Sequence, residues 1–172
     1  MKKISETVVE EGTLDLPVDR YRTTVRAIIL KDNKILMVYS KLFKDYTFPG
    51  GGVKAEESIN EALIREVQEE LGANKVKILD LYGYMEEKKF GMSENNRVYL
   101  QTSYYYFVEI DNIGKQNLMD NELEHGVDPV WLTINEAIEN NSKIMTEFHH
   151  KKGMRTVLKR EHEVLTSLLK GI

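Results

Sequence analysis

The sequence contains no cysteine among its 172 residues. This absence excludes a disulfide framework, thiolate catalysis and any metal site that uses cysteine ligands. It fits a reducing compartment, so we expect a cytoplasmic protein. The first six residues, Met1 to Glu6, begin with positive charge but have no apolar run behind them, which does not fit a signal peptide.

Long apolar runs are also missing. No stretch approaches the ~18 apolar residues that a membrane-spanning helix needs, so we expect no membrane partner. The apolar fraction of 41% and the charged fraction of 30% are ordinary for a soluble globular protein. Repeats and low-complexity linkers are absent from the sequence, and the length suits one folding unit. We therefore predict a single domain over residues 1–172.

The sequence also has no excess of basic residues. The chain has 24 Lys and Arg against 28 Asp and Glu, a net charge of −4. Without a basic stripe, a long nucleic acid is not an expected partner. An acidic protein can still bind phosphates when a divalent cation stands between the two negative partners.

Acidic residues are concentrated where a helix tolerates them least. We predict a helix from Ser58 to Leu71, ended by Gly72. Glu66, Glu69 and Glu70 then stand at i, i+3 and i+4 on one face, where like charges repel by roughly 0.2–0.5 kcal/mol per pair. The last turn of a helix also disfavours negative charge. A bound divalent cation would reverse the sign of these interactions.

Residues 51–73 match a nine-position pattern: glycine, five residues, glutamate, seven residues, then Arg-Glu-aliphatic-any-Glu-Glu-any-Gly-aliphatic. This pattern resembles the box of the Nudix hydrolase family, of the MutT-like kind. The positions are filled by Gly51, Glu57, Arg65, Glu66, Val67, Glu69, Glu70, Gly72 and Ala73. Ala73 is smaller than the usual aliphatic residue. The segments 46–50 and 131–137 also resemble family segments that flank the box.

The resemblance implies an α/β fold, namely the Nudix α/β/α sandwich with a mixed central sheet. It further implies a metal-dependent hydrolase that cleaves the pyrophosphate linkage of a nucleoside diphosphate joined to a group X. Water attacks phosphorus in such reactions. The implied partner is therefore a small-molecule nucleoside diphosphate derivative.

The resemblance also assigns roles to residues of the box. Glu69 and Glu70 are expected metal ligands, Glu66 is a ligand or the general base, and the Gly50 carbonyl joins the metal shell. Arg65 is expected to pair with Glu57 and to hold the loop against the helix. Three carboxylates suit Mg²⁺ or Mn²⁺, which prefer oxygen ligands.

The residue that activates water is not fixed by the box, because family members take it either from the box or from a later loop. Glu122 and Glu124 are the candidates here, both in a predicted acidic loop over residues 111–128.

Apolar patterning predicts the remaining elements. Strands are expected near residues 7–9, 21–30, 34–39, 76–85, 98–110 and 130–132, and further helices over residues 134–139 and 155–169. Thr133 and Glu136 form a capping-box pattern for the first of these helices. A loop is expected over residues 86–96. The apolar stripe of the last helix fits core packing or a homodimer contact.

The sequence does not identify the group X of the substrate. A proline that marks ADP-ribose hydrolysis in the family, or a tyrosine that marks dinucleoside polyphosphate hydrolysis, would fall near residues 88–91, which read Lys-Lys-Phe-Gly. Neither mark is present, so a nucleoside triphosphate or a nucleotide sugar remains open. The alternative function is a catalytically silent nucleotide sensor, although such proteins typically lose box glutamates and this chain keeps them.

Overall fold

A computed structural model describes residues 1–92, 96–147 and 150–171, apart from the side chain of Asn121. The strands are β1 Val8–Val9, β2 Arg20–Ile28, β3 Leu30–Lys31, β4 Lys34–Ser40, β5 Tyr46–Thr47, β6 Val76–Phe90, β7 Val98–Ile110 and β8 Val127–Leu132. The helices are α1 Ile59–Leu71, α2 Asp120–His125, α3 Ile134–Glu147 and α4 Val157–Gly171. Within these described ranges, none of the helices is long and apolar enough to cross a membrane.

The strands form two sheets. The first has the order β1-β6-β7-β2, with β1–β6 and β2–β7 parallel and β6–β7 antiparallel. The second has the order β3-β4-β5, and β8 pairs with the other side of β4 along six antiparallel residue pairs. Parallel and antiparallel pairs occur together, so the predicted mixed sheet is confirmed.

Helices cover both faces of the strands. On one face, α1 packs its apolar side against alternate residues of β2 and β4, in a core that includes Val25, Ala27, Leu36, Val38, Leu63, Val67 and Leu71. On the other face, α3 and α4 pack against a second core that includes Ile28, Ile35, Met37, Phe48, Tyr105, Ala137 and Leu165. The layers are therefore helix, strands, helix, and the predicted α/β/α class is confirmed.

The box helix α1 begins and ends as its sequence predicts. Ser58 caps its start, since the Ser58 hydroxyl accepts from the Glu61 N–H while the Glu61 carboxylate accepts from the Ser58 N–H. Gly72 ends the helix at φ 65°, a conformation that favours glycine. The apolar spacing of α1 favours Ile59, Leu63, Ile64, Val67 and Leu71 as its sheet-facing residues. In the structure Leu63, Val67 and Leu71 are fully buried, Ile59 and Ile64 are only half-buried, and Ala62 is fully buried as well.

The predicted loop over residues 86–96 is wrong at its start, because β6 continues to Phe90 and pairs there with Val98. The segment is polar in sequence because it carries Glu87 and Lys89. Both side chains are buried and point into the protein, and their charges are balanced by neighbouring groups. Residues 93–95 of that prediction lie outside the described residues.

The predicted loop over residues 111–128 is also wrong in its second half, which contains α2 and the start of β8. The Glu122 carboxylate accepts from the Met119 N–H at the start of α2, and Gly126 ends the helix at φ 61°. β8 is longer than the predicted strand because all six of its residues pair with β4.

The helix α3 begins at the predicted Thr133–Glu136 capping box, which is confirmed. It runs to Glu147, well beyond the predicted end at residue 139. The buried side chain of Asn141 explains the difference, because it bonds both the N–H and the carbonyl of Tyr46. Such a tertiary contact leaves no periodic signal in the sequence.

Candidate active site

The loop that leads into the box is fixed to strand β2. The N–H groups of Ala27 and Val25 donate to the carbonyls of Pro49 and Gly51 at 2.8 and 2.9 Å, and the Val53 N–H donates to the Thr23 carbonyl at 3.0 Å. The loop therefore continues the sheet as a short irregular strand. Its backbone lies between β2 and the acidic face of α1.

Two positions in this loop require glycine for different reasons. Gly50 has φ 137°, and a Cβ atom there would lie 2.0 Å from the carbonyl oxygen of Val25. A Cβ atom on Gly51 would lie 2.5 Å from Oε1 of Glu66. The absence of side chains at these two positions therefore admits the β2 backbone at Gly50 and the Glu66 carboxylate at Gly51.

Arg65 ties the loop to α1, as the sequence predicts. Its Nε and Nη2 atoms donate to the two carboxylate oxygens of Glu57 at 2.7 and 2.9 Å, and Nη2 also donates to the Gly52 carbonyl at 3.1 Å. This bidentate contact is the favoured geometry between a guanidinium and a carboxylate. Hydrogen bonds from Arg65 lower the pKa of Glu57 to about 2.

Three carboxylates converge beside the loop. Oxygen atoms of Glu66, Glu70 and Glu122 all lie within 4.8 Å of one another. Glu66 and Glu70 come from α1 and are buried, while Glu122 comes from α2 and is half-buried. The short helix α2, which the sequence analysis missed, is what brings Glu122 to the box.

Burial of this cluster disfavours its negative charge. Burial raises the pKa of Glu70 to about 8, while the charge of Arg26 and the Gly50 N–H oppose that rise. Burial also raises the pKa of Glu66, against the hydrogen bond and charge of Arg65. Glu122 and Glu66 repel the charge of Glu70. Arg65 pairs with Glu66 at 2.7 Å, but burial outweighs the nearby positive charges, so the pKa values of Glu66 and Glu70 stay raised.

Two predicted ligands are placed elsewhere. Oε2 of Glu69 accepts from Nη1 of Arg65 at 3.2 Å and does not belong to the three-carboxylate cluster. The carbonyl oxygen of Gly50 accepts from Nη1 of Arg26 at 2.6 Å. Their roles as metal ligands stay predictions. Glu124, the second candidate base, is exposed and lies outside the cluster.

Arg26 is a site residue that the sequence analysis missed. Its Nη1 atom donates to the carbonyls of Gly50 and Phe48, and its charge opposes the burial that raises the pKa of Glu66 and of Glu70. A signal was present, because an arginine interrupts the apolar end of β2 between Val25 and Ala27. A charge at such a position needs a partner.

Fold and site together define an α/β/α sandwich protein in which the acidic helix α1 packs against the glycine loop, residues 50–52. The Arg65–Glu57 pair holds this loop and the helix together. Residues 20–156 match the NUDIX domain family. The chain belongs to this family and is a Nudix hydrolase, so the predicted membership is confirmed.

Several known proteins are similar to this chain. An RNA pyrophosphohydrolase of a Nitratiruptor species is 31% identical over 114 residues, which cover 61% of this chain and 74% of the relative. An ADP-ribose pyrophosphatase of Methanocaldococcus jannaschii is 48% identical over 80 residues, 41% of this chain and 45% of the relative. The second match therefore spans less than half of that protein.

Solved structures support the fold. A NUDIX hydrolase from Nitrosomonas europaea superposes with a TM-score of 0.53 at 21% identity, covering 83% of this chain and 88% of the other. The MutT protein of Bacillus halodurans gives 0.50 at 20% identity, covering 69% and 72%. At these identities the likeness concerns the architecture alone.

Proposed function

We propose that the protein is a metal-dependent pyrophosphohydrolase that acts on a nucleoside diphosphate linked to a group X. The single observation that carries this proposal is the convergence of Glu66, Glu70 and Glu122 within 4.8 Å, beside the glycine loop that precedes the box helix. Crowded, partly buried carboxylates are unfavourable unless a cation neutralises them. The two relatives, named as an RNA pyrophosphohydrolase and an ADP-ribose pyrophosphatase, support the reaction class.

The donor set fits Mg²⁺ or Mn²⁺. Within the described part of the chain, the cluster consists of glutamates only, and hard divalent cations prefer oxygen ligands. Glu66, Glu70 and Glu122 would hold the cation. When bound, the ion would neutralise phosphate charge and lower the pKa of a coordinated water molecule.

The other box residues position this cluster. Arg65 fixes Glu57 and the Gly52 carbonyl, and its Nη1 atom lies 2.7 Å from Oε1 of Glu66, so it sets the direction of that carboxylate. The Gly50 N–H donates to Oε2 of Glu70 at 2.7 Å and orients the second carboxylate. Such outer contacts fix the geometry of metal ligands.

Water is the nucleophile in this proposal. Its oxygen forms a bond to one phosphorus of the diphosphate, the bond from that phosphorus to the bridging oxygen breaks, and the proton passes to a carboxylate. Glu66 and Glu122 are the candidates for this base, because each lies in the cluster and has a second carboxylate oxygen.

The test is product release from a panel of nucleoside triphosphates, nucleotide sugars, ADP-ribose, dinucleoside polyphosphates and NADH. Each substrate is incubated with Mg²⁺, with Mn²⁺ and with a chelator. We expect chelator-sensitive release of a nucleotide from at least one substrate. Nucleotide binding without turnover across the panel would contradict the hydrolase proposal and support the sensor alternative.

A further inference from the structure

Strand β5, which leads into the glycine loop, lies at one edge of the second sheet because it pairs with β4 alone. Among the described residues no strand lies along its outer edge, yet the backbone groups there are bonded. The side chain of Asn141 in α3 accepts from the Tyr46 N–H at 2.9 Å and donates to the Tyr46 carbonyl at 2.7 Å. A side-chain amide therefore takes the place of a neighbouring strand.

A second side chain bonds the same edge two residues further along. Oε2 of Glu161, in α4, accepts from the Phe48 N–H at 2.8 Å. Backbone groups of residues two apart in an extended segment point to the same side, so positions 46 and 48 share one edge. Asn141 and Glu161 are both buried, with 0% exposure. Two helices thus hold the entry to the glycine loop through one polar side chain each.

The direction of the Glu161 carboxylate is set by Arg160, which is 1% exposed. Nε and Nη2 of Arg160 both donate to Oε1 of Glu161, and Nη1 donates to Oε2 of Glu87 at 2.7 Å. Glu87 in turn accepts from the Thr156 hydroxyl at 2.7 Å. These contacts direct Oε2 of Glu161 toward the Phe48 N–H.

Glu161 occupies a position where the pattern of α4 favours an apolar residue. It falls on the stripe of buried side chains formed by Leu158, Leu165 and Leu168. Replacing a buried ion pair by apolar residues of similar volume is often neutral or stabilising, so stability alone does not explain the charge. The family match ends at residue 156, and Glu161 lies outside it. Control of the loop accounts for a carboxylate at this position.

The segment from Phe48 to Gly50 connects this edge to the carboxylate cluster. The Phe48 N–H donates to Glu161 of α4, whereas the Gly50 N–H donates to Oε2 of Glu70 of α1 at 2.7 Å. Between them, the Pro49 carbonyl accepts from strand β2 at 2.8 Å. The segment is therefore bonded to helices on both faces of the strands. A displacement of Phe48 moves the Gly50 amide and turns the Glu70 carboxylate.

We propose that Glu161 and Asn141 are positioning residues of the hydrolase site, which fix the Gly50 amide and thereby the direction of the Glu70 carboxylate. Within the described ranges neither side chain belongs to the carboxylate cluster, so each acts through the loop. The kinetic consequence rests on the proposed function, because it assumes that Glu70 holds the catalytic cation. Small displacements of catalytic groups lower the rate strongly.

The kinetic test compares Glu161→Ala and Asn141→Ala with Leu168→Ala, which shortens a buried side chain of α4 that cannot form a hydrogen bond. The values of kcat, KM and the Mg²⁺ concentration for half-maximal rate are measured at a temperature where circular dichroism shows each variant folded. We expect both polar variants to lower kcat by about 10-fold or more and to need more Mg²⁺, with little change in KM. Leu168→Ala should keep the wild-type kcat.

Glu161→Gln provides the conservative variant, and it also serves if Glu161→Ala does not fold. It keeps one oxygen that can accept from the Phe48 N–H, so we expect it to retain more of kcat than Glu161→Ala. Wild-type kcat in Asn141→Ala and in the folded Glu161 variants would overturn the inference. An equal loss of kcat in Leu168→Ala would do so too, because it would mean that reduced stability explains the effect.

Amide hydrogen exchange separates this inference from the proposed function, because it does not depend on turnover. Exchange rates are measured by NMR for the wild type, Glu161→Ala or Glu161→Gln, and Leu168→Ala. We expect loss of the Glu161 carboxylate to speed exchange at Phe48 and Gly50 by about 10-fold, as for one lost buried hydrogen bond, while the middle of α1 keeps its wild-type rates. Leu168→Ala should leave the ratio of loop to α1 rates unchanged.

The two outcomes are distinguishable. If the wild type turns over no substrate but this exchange pattern holds, only the proposed function fails. If the amides of Phe48 and Gly50 exchange at wild-type rates without the Glu161 carboxylate, the inference fails whatever the turnover.

Discussion

The backbone N–H of Gly50 donates a 2.7 Å hydrogen bond to Oε2 of Glu70, while the carbonyl of the same glycine accepts from Arg26 at 2.6 Å. One peptide segment thus joins a carboxylate of the acidic helix to a cation of strand β2. The φ of 137° at Gly50 makes both contacts possible. Because the contacts share one residue, the position of the loop and the direction of the Glu70 carboxylate depend on each other.

Gly51→Ala should damage the site while the fold survives. The new Cβ atom would lie 2.5 Å from Oε1 of Glu66, which is the end of a side chain and can move aside. Moving it displaces a proposed ligand, so we expect turnover to fall by about 10-fold or more, since small misplacements of catalytic groups are costly.

The matched control is Gly171→Ala, where a Cβ atom meets nothing within 4 Å. Its turnover and thermal unfolding should equal those of the wild type. Circular dichroism should show that Gly51→Ala is folded. A Gly51→Ala variant with wild-type turnover would contradict the placement of Glu66 in the site.

Glu70→Gln should reduce turnover more than Glu69→Gln. Glu70 lies in the carboxylate cluster, whereas the Glu69 carboxylate accepts from Arg65 at the edge of the site. Removing a ligand charge weakens cation binding directly, so we expect a loss of at least about 100-fold for Glu70→Gln. Steady-state kinetics over a range of Mg²⁺ concentrations provides the measurement, and an equal loss in both variants would place Glu69 in the metal shell.

The sequence predicts those features that depend on local physics. The predicted helix from Ser58 to Leu71, ended by Gly72, matches α1, and the Arg65–Glu57 contact follows from the resemblance of the box. Both are present. The layers of the sandwich also follow from the family resemblance.

Other features depend on contacts between distant segments and were not predictable in this way. Strand β6 extends to Phe90 because β7 pairs with it, although Glu87 and Lys89 on their own are typical of a loop. Arg26 enters the site because the loop at Gly50 folds back onto β2. The approach of Glu122 to Glu70 requires α2, whose six residues carry too little periodicity to indicate a helix.

Leu63→Ala should destabilise the protein by about 2–5 kcal/mol, because truncation of a buried leucine leaves a cavity. Leu63 is fully buried in the core between α1 and the strands. Urea unfolding measures the loss, with Leu79→Ala as a control, since Leu79 is 41% exposed. A loss below ~0.5 kcal/mol for Leu63→Ala would mean that α1 presents a different face to the sheet.

Stability of the metal-free protein should fall as pH rises from about 5 to 8. The folded state raises the pKa of Glu70 from 4.5 to about 8, so in this window the folded protein retains a proton that the unfolded chain has released. Burial and the charge of Glu161 raise the pKa of Asp45 to about 7, which adds to the same trend. Glu70→Gln should reduce the slope of unfolding temperature against pH, and Asp45→Asn should reduce it separately.

Added Mg²⁺ should oppose this pH dependence, because the cation binds the ionised carboxylates of the folded state and stabilises that state by mass action. We therefore expect the increase in unfolding temperature on adding Mg²⁺ to be larger at pH 8 than at pH 5.5 in the wild type. The increase should be much smaller in Glu70→Gln at either pH. Differential scanning fluorimetry with a chelator control measures this increase in unfolding temperature. An increase that is equal at both pH values, or unchanged in Glu70→Gln, would contradict cation binding at Glu70.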